Sequence, residues 1–130
     1  MSVEKNICTF LLQQTALTKL IGARIFPVKI PQNSDLPAIA YNMISKPRTY
    51  SQSGDSHLVR PRIQFSCFGN RYHDVRDVAD QIVIALSGFK GNMDGATIQS
   101  AFIENETDLY EPDTKIYHVP VDVVFQYNDN

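Results

Sequence analysis

The chain has 130 residues, the length of one domain, and can bury a core without disulfides or metals. With 43% hydrophobic and 20% charged residues it has a globular composition, which excludes a disordered chain. Its longest apolar runs are far short of the roughly twenty residues of a membrane-spanning helix, which excludes an integral membrane protein. Since the first residues lack a signal-peptide pattern, we expect a cytosolic protein with Cys8 and Cys67 as free, buried thiols.

Charge is distributed unevenly along the chain. Residues 1–76 hold ten of the twelve Lys and Arg residues and four of the fourteen acidic ones, a net charge of +6. Residues 77–130 hold the other two basic and ten acidic residues, a net charge of −8. Two interpretations stay open: chance placement on one solvated surface, or a subunit with two oppositely charged ends that packs head-to-tail.

The N-terminal part of the chain predicts one helix followed by an extended segment. Apolar residues recur at spacings near three and four over residues 2–21, although Gln14 interrupts the stripe. Ser2 is the expected N-cap and Gly22 the expected end of the helix. Residues 24–27 are expected to be extended, because a residue that precedes proline avoids the α region.

The middle of the chain predicts two strands separated by a long polar segment. Residues 38–45 and 62–68 alternate apolar and polar side chains, as strands with one buried face do. Between them, residues 48–61 are strongly polar, show little apolar periodicity and contain Gly54. We expect a long, mobile hairpin or loop there, and a loop of that length in a compact domain is usually functional or disordered.

The second half of the chain predicts one helix and two strands. Residues 74–89 carry a single apolar stripe at helical spacing. Residues 97–104 and 115–127 read as strands, and the second of them alternates over its whole length. Pro120 lies inside that last strand, and a proline there predicts an edge strand or a bulge.

The order of these elements predicts the fold class. Residues 1–130 are expected to form a single α+β domain with a mostly antiparallel four-stranded sheet and two helices packed on one face. The long polar loop, about 48–61, would lie between the first two strands. Residues 105–114 would form an acidic linker, and residues 128–130 a frayed tail.

No group of residues predicts catalysis, a metal site or a cofactor. His73-Asp74 could belong to a metal-dependent hydrolase, but no histidine has a partner at the spacing that puts two ligands on one helical face, and Asp74 suits a helix N-terminus. The glycines at 88, 91 and 95 follow a helix rather than open one, and no Lys-Ser/Thr pair accompanies them. The residues alone therefore give no candidate for catalysis, metal binding or cofactor binding.

A basic, aromatic patch offers an alternative function. Single-stranded nucleic acids bind to surfaces that combine positive charge with aromatic side chains. The candidate residues are Arg48, Arg60, Arg62, Arg71 and Arg76, with Tyr50 and Tyr72. The alternative is thus a small nucleic-acid-binding module that uses the basic N-terminal half, although no recognised nucleic-acid motif is present.

An ordered set of short motifs resembles a known family. The set begins with Leu20-Ile21-Gly22-Ala23-Arg24-Ile25-Phe26-Pro27, Ile30-Pro31-Gln32 and Leu36-Pro37-Ala38-Ile39-Ala40-Tyr41. A polar loop follows, then Arg62-Ile63-Gln64-Phe65-Ser66-Cys67-Phe68 and the helix from Val75 to Leu86. Over roughly residues 3–127 the chain resembles the small tail-completion proteins of long-tailed phages and prophages, also called tail terminators or tail-to-head joining proteins.

The resemblance implies a structural protein of phage assembly, which is not an enzyme and holds no cofactor. Such a protein forms a ring, usually of six copies, on the end of the finished tail tube. It stops tube polymerisation and provides the surface that joins the tail to the head. The implied partners are other copies of the chain, the tail tube protein and the head connector or stopper protein, with DNA only passing through the lumen and no membrane. The implied location is the head–tail junction of the virion, and the bacterial host cytoplasm during assembly.

The long polar segment supplies the candidate contact residues. A ring subunit needs two different complementary surfaces, because head-to-tail contacts are heterologous. A flexible segment that orders on binding would suit such a contact. We expect Arg48, Tyr50, His57 and Arg60 to contact a neighbouring subunit or the tail. The alternative is a solvated loop without a partner.

Overall fold

The computed structural model describes residues 3–129, which form three helices and nine strands. The helices are α1 (Val3–Leu12), α2 (Thr15–Ile21) and α3 (Tyr72–Leu86). The strands of the first half are β1 (Ile25–Pro27), β2 (Ala38–Ser45), β3 (Arg48–Ser51), β4 (Gly54–Val59) and β5 (Arg62–Gly69). Those of the second half are β6 (Gly91–Met93), β7 (Ala96–Glu106), β8 (Leu109–Glu111) and β9 (Ile116–Asn128). None of the helices between residues 3 and 129 has the length and apolar character needed to cross a membrane.

The single helix predicted over residues 2–21 is two helices. The backbone N–H of Gln13 donates to Phe10 and that of Gln14 to Leu11, at 3.1 and 3.0 Å, so the last turn of α1 tightens and stops. Gln14 is extended and precedes α2. The residue that interrupts the apolar stripe is thus where the helix breaks. The Ser2 cap lies outside the described residues, whereas Gly22 ends α2 as predicted, with a φ of 62°.

The predicted four-stranded, mostly antiparallel sheet with two helices is wrong. One mixed sheet of nine strands curls into a half-barrel, and three helices accompany it. The four predicted strands exist as β2, β5, β9 and β7, in that spatial order. The other five strands were missed because each has only three to six residues and few of them are buried. Such short segments show no alternation of buried and exposed side chains. β1 also pairs in parallel with β2, which makes the sheet mixed.

Of the hairpin or loop expected between the first two strands, the structure has the hairpin. β2 and β3 form one half of this long hairpin, and β4 and β5 form the other half. The two halves pair antiparallel, from Ala38 with Phe68 at one end to Ser51 with Gly54 at the other. We call residues 48–59 the arm. The arm joins the body of the sheet only where Leu58 and Val59 pair with the end of β9.

β9 is the central strand of the sheet, which corrects the edge position predicted from Pro120. β5 and β4 pair along one side of β9, and β7 and β8 along the other. The Pro120 carbonyl accepts a hydrogen bond from the N–H of Thr107 at 3.3 Å, in the gap between β7 and β8. Because the N and C=O of a strand residue point to the same side, the missing N–H of Pro120 faces this gap and breaks no ladder. The expected acidic linker accordingly contains the end of β7 and all of β8.

The core lies between the inner face of the sheet and the helices. Alternate residues of β5 and β9 are buried, as their sequence pattern predicts, and so is the stripe of α3. The largest fully buried side chains are Phe65, Phe125, Ile7, Leu11, Leu17, Ile21, Ile39, Ile63, Ile82, Leu86, Met93 and Ile98. All three helices contribute to one continuous cluster with the sheet.

Gly69, at the end of β5, allows α3 to pack closely on the sheet. A Cβ atom at this position would lie 2.5 Å from Cγ2 of Val75. We expect Gly69→Ala to lower the free energy of unfolding by about 1–3 kcal/mol, the usual cost of overpacking. Urea unfolding measures this change. In a Val75→Ala background the same substitution should cost clearly less, and an equal cost in both backgrounds would contradict the steric explanation.

Candidate functional site

The arm is a largely exposed element of the described chain. Beyond its junction with β9 it is a two-stranded ribbon, and such ribbons are marginally stable by themselves. Only Val59 of the arm is buried. Tyr50 exposes 68% of its surface, an unusual position for an aromatic side chain. Tyrosine side chains in such positions are enriched at protein interfaces.

A cluster of charged residues fastens the arm to the end of the chain. Arg48 donates from Nε to Asp55 at 2.9 Å and from Nη2 to Asp129 at 2.6 Å. The Nδ1 atom of His57 lies 3.3 Å from a carboxylate oxygen of Asp129. The backbone N–H of Asp129 also donates to the His57 carbonyl at 2.9 Å. The cluster therefore fixes the direction in which the arm leaves the sheet.

The hydrogen bonds of this cluster shift the pKa values of its carboxyl groups. The pKa of Asp129 is lowered, chiefly because Arg48 donates to its carboxylate. The pKa of Asp55 is lowered chiefly by the backbone N–H of His57, at 2.7 Å, and further by Arg48. Both carboxylates are therefore charged at neutral pH, and the guanidinium pKa of Arg48 is raised by the same contacts.

These shifts predict how the arm responds to acid. A carboxyl group whose pKa is lower in the folded state stabilises that state above its unfolded value, and the contribution is lost as the pH falls through the folded pKa. We expect the Asp55 and Asp129 carboxyl carbons to titrate below pH 3.8 in NMR spectra, and the arm to detach only there. Arg48→Ala should raise the pKa of Asp129 more than that of Asp55, which keeps its bond from the backbone of His57. Midpoints at or above 3.8 in the unmodified protein would contradict the cluster.

The four predicted contact residues do not form one group. Arg48 and His57 meet at Asp129, whereas Tyr50 lies farther along the arm, opposite Asp55. Arg60 lies past the arm and donates to the side-chain oxygen of Gln126 at 2.8 Å. Sequence reasoning missed Asp55 and Asp129. Since 81 residues separate Arg48 from Asp129, no local spacing could have revealed their pairing.

Part of the uneven charge of the two halves is paired within the subunit. Arg48 pairs with Asp129, and Arg62 pairs with Glu104. Arg76 pairs with Glu106 and lies 3.1 Å from both Asp80 and Asp108. Each of these arginines belongs to the basic half and each of these partners to the acidic half. Three of the five arginines of the predicted nucleic-acid patch are thereby engaged with carboxylates.

The other candidate chemistries have no assembled site between residues 3 and 129. No group of three His, Cys, Asp or Glu side chains there could hold a metal ion, so His73 and Asp74 stand without further ligands. Burial raises the pKa of Cys8 to about 11 and that of Cys67 still further, which disfavours the nucleophilic thiolate. Gly88, Gly91 and Gly95 have positive φ angles in the turns around β6.

An apolar groove lies at the opposite end of the sheet from the arm. It has a volume of about 390 Å³ between the segment after β1 and the sheet. Its apolar lining consists of Val28, Ile30, Pro31, Leu36, Phe68 and Ile116. Ile116 begins β9, whereas the arm pairs with its last residues. The subunit therefore has two different ends along its central strand, one with a protruding ribbon and one with an apolar groove.

The fold of this chain also occurs in a solved structure. A chain described as part of the virion of a native gene transfer agent particle has the same fold, with a TM-score of 0.69 over 92% of this chain and 89% of that chain. The two sequences are 9% identical, so the likeness concerns the fold alone. No curated protein sequence matches the chain.

The family is shown by a match over nearly the whole sequence. Residues 5–127 match the family model of tail completion protein gp17. The chain belongs to this family, and it is a structural component of a phage tail. The resemblance carried by the motifs between Leu20 and Leu86 is thereby confirmed.

Proposed function

We propose that this protein forms a ring, of six copies, on the end of the phage tail tube. The ring ends tube polymerisation and provides the surface that joins the tail to the head. Its partners are other copies of the chain, the tail tube protein and the head connector or stopper protein. It acts at the head–tail junction after assembly in the bacterial host cytoplasm, while DNA only passes through its lumen.

The main support for this proposal is that the subunit has two unlike ends and belongs to a tail completion family. A ring that joins two different structures needs unlike surfaces at its two ends, and the arm and the apolar groove lie at opposite ends of β9. A closed ring also needs unlike surfaces on the two sides of each subunit. A mixed sheet with two different edges supplies such sides.

The candidate contact residues have different tasks in this proposal. Tyr50 makes the contact with a neighbouring subunit or the tail, because its side chain is exposed. Arg48 and His57 support that contact by fixing the arm through Asp129. Arg60 contributes from the sheet surface next to Gln126. The function requires no catalysis and no cofactor.

In vitro joining tests the proposed function. Tails assembled in cells without this protein are mixed with filled heads, with and without the purified chain. We expect unjoined tails of irregular length in its absence, and infectious particles when the protein is added to tails before further tube growth. Tails of normal length that join heads without the protein would contradict the proposal.

A further inference from the structure

Four strands of the sheet, β1, β3, β6 and β8, pair with a described strand on one side only, and β3 and β8 are short, with four and three residues. β3 pairs with β4 on one side, and no strand among residues 3–129 pairs with its other side. β8 pairs with β9 on one side and is likewise unpaired on the other. β3 and β8 lie at opposite edges of the sheet and at opposite ends of β9. Unpaired N–H and C=O groups along such edges accept a strand from another chain.

The charges beside the two edges are opposite. Lys46 lies just before β3, is exposed, and forms no ion pair. Glu111, the last residue of β8, and Asp113 after it are exposed carboxylates, and neither forms an ion pair within residues 3–129. The acids nearer to α3 are already engaged by Arg76. The charge left beside β3 is therefore positive. Beside β8 the two acids outnumber the exposed Lys115, so the charge left there is negative.

Each edge also carries large apolar side chains in solvent. Ile44 and Tyr50 flank the first edge, and Leu109 and Tyr110 lie on β8 itself. Five of the nine large apolar side chains exposed in the described chain lie elsewhere and scatter over other elements. Exposed apolar residues grouped at two charge-complementary edges are typical of an interface between protein chains.

We propose that β3 of one subunit adds to β8 of the next subunit, so that the sheet continues from copy to copy around the ring. This inference rests on the proposed ring. Lys46 then faces Glu111 and Asp113 of the neighbour, and Tyr50 packs near Leu109 and Tyr110. Since β3 and β8 lie at opposite ends of the sheet, neighbouring subunits are staggered, as strands must be when a sheet closes on itself. Pro47 limits the addition to the short strand that follows it.

Charge reversal tests this interface on the full-length protein. Assembly is measured by native mass, in solution and on tails made without this protein, for Lys46→Glu and for the double variant Glu111→Lys/Asp113→Lys. Each variant should raise the concentration needed for half-assembly at least about tenfold, because like charges then face each other. An equimolar mixture of the two variants should assemble as well as the unmodified chain, since alternating subunits restore every opposite-charge contact. Lys90→Glu, the same charge change on the loop before β6, is the control and should assemble normally.

The outcomes separate this inference from the proposed function. If the unmodified chain forms rings and both variants form them equally well, the edge contact is wrong while the ring stands. If the variants fail and their mixture also fails, the loss is not electrostatic pairing and the edge contact is again wrong. If the unmodified chain forms no ring in solution or on tails, the proposed function fails and the edge contact with it. All variants are checked for unchanged thermal unfolding, which is expected because the altered side chains are exposed.

Discussion

Removing the tip of the arm is expected to abolish the joining of tails to heads while leaving a folded subunit. Thr49 and Leu58 are paired across the hairpin, so residues 50–57 can be replaced by Asn-Gly, which closes a two-residue turn between them. The shortened arm loses Tyr50, Asp55 and His57 but keeps the ion pair of Arg48 with Asp129. The yield of infectious particles should fall about a hundredfold or more, the effect expected when a central interface contact of about 3 kcal/mol is lost.

The controls for this variant separate contact from folding. Its urea midpoint should stay within the error of the unmodified protein, because only Val59 of the arm is buried and Val59 is retained. Tyr50→Ala alone should reproduce most of the loss if the tyrosine makes the contact. A normal particle yield from the shortened protein would show that the arm has no role in joining.

The largest effect on stability is expected from Phe65→Ala. Phe65 exposes 1% of its surface, lies in the middle of β5 and faces Val121 of β9 on the buried side of the sheet. Its removal leaves a cavity that the surrounding sheet and helices cannot close, at a cost of about 3–5 kcal/mol. That is a large part of the 5–15 kcal/mol by which a domain of this size is usually stable. Urea unfolding at neutral pH measures the change.

Phe102 provides the matched control, because it is the same residue type in the same sheet. It lies on β7 and exposes 62% of its surface. Phe102→Ala should change the free energy of unfolding by less than about 1 kcal/mol, as exposed substitutions usually do. Similar losses from both substitutions would contradict the assignment of the inner and outer faces of the sheet.

The elements that could be predicted from the sequence are those long enough for their apolar residues to recur at a regular spacing. The strand over residues 38–45 has the predicted bounds, and the alternation of β9 correctly gives its buried face. The stripe of α3 was likewise predicted, although the helix begins at Tyr72 and ends at Leu86. These segments bury one side against a common core, so their apolar residues must recur at the period of the backbone.

The missed strands depend on pairing rather than on pattern. β1, β6 and β8 have three residues each, and the strands of the arm expose most of their side chains. Such strands form because a neighbouring strand provides hydrogen-bonding groups, and this pairing does not require an alternation of side chains in the sequence. The count of four strands was wrong for this reason, whereas of the two alternatives for residues 48–61, hairpin or loop, the structure has the hairpin.

Only the position of the candidate site along the chain could be predicted from the sequence. The polarity of residues 48–61 indicated a functional segment, and the structure shows that this segment protrudes as the arm. The partners Asp55 and Asp129 are tertiary contacts that spacing could not reveal. The division of charge along the sequence is real, but folding pairs the two halves inside the subunit, as Arg62 with Glu104 illustrates. A linear charge pattern therefore does not give the charge of a surface.

The number of copies in the assembled state tests the central claim most directly. The measurement is the absolute mass of the purified protein over a concentration series, together with the number of copies bound per tail end. The account predicts one discrete closed species of six 14.7 kDa chains, about 88 kDa, in solution or on the tail. A chain that stays monomeric at every concentration and binds tails in one or two copies would contradict it.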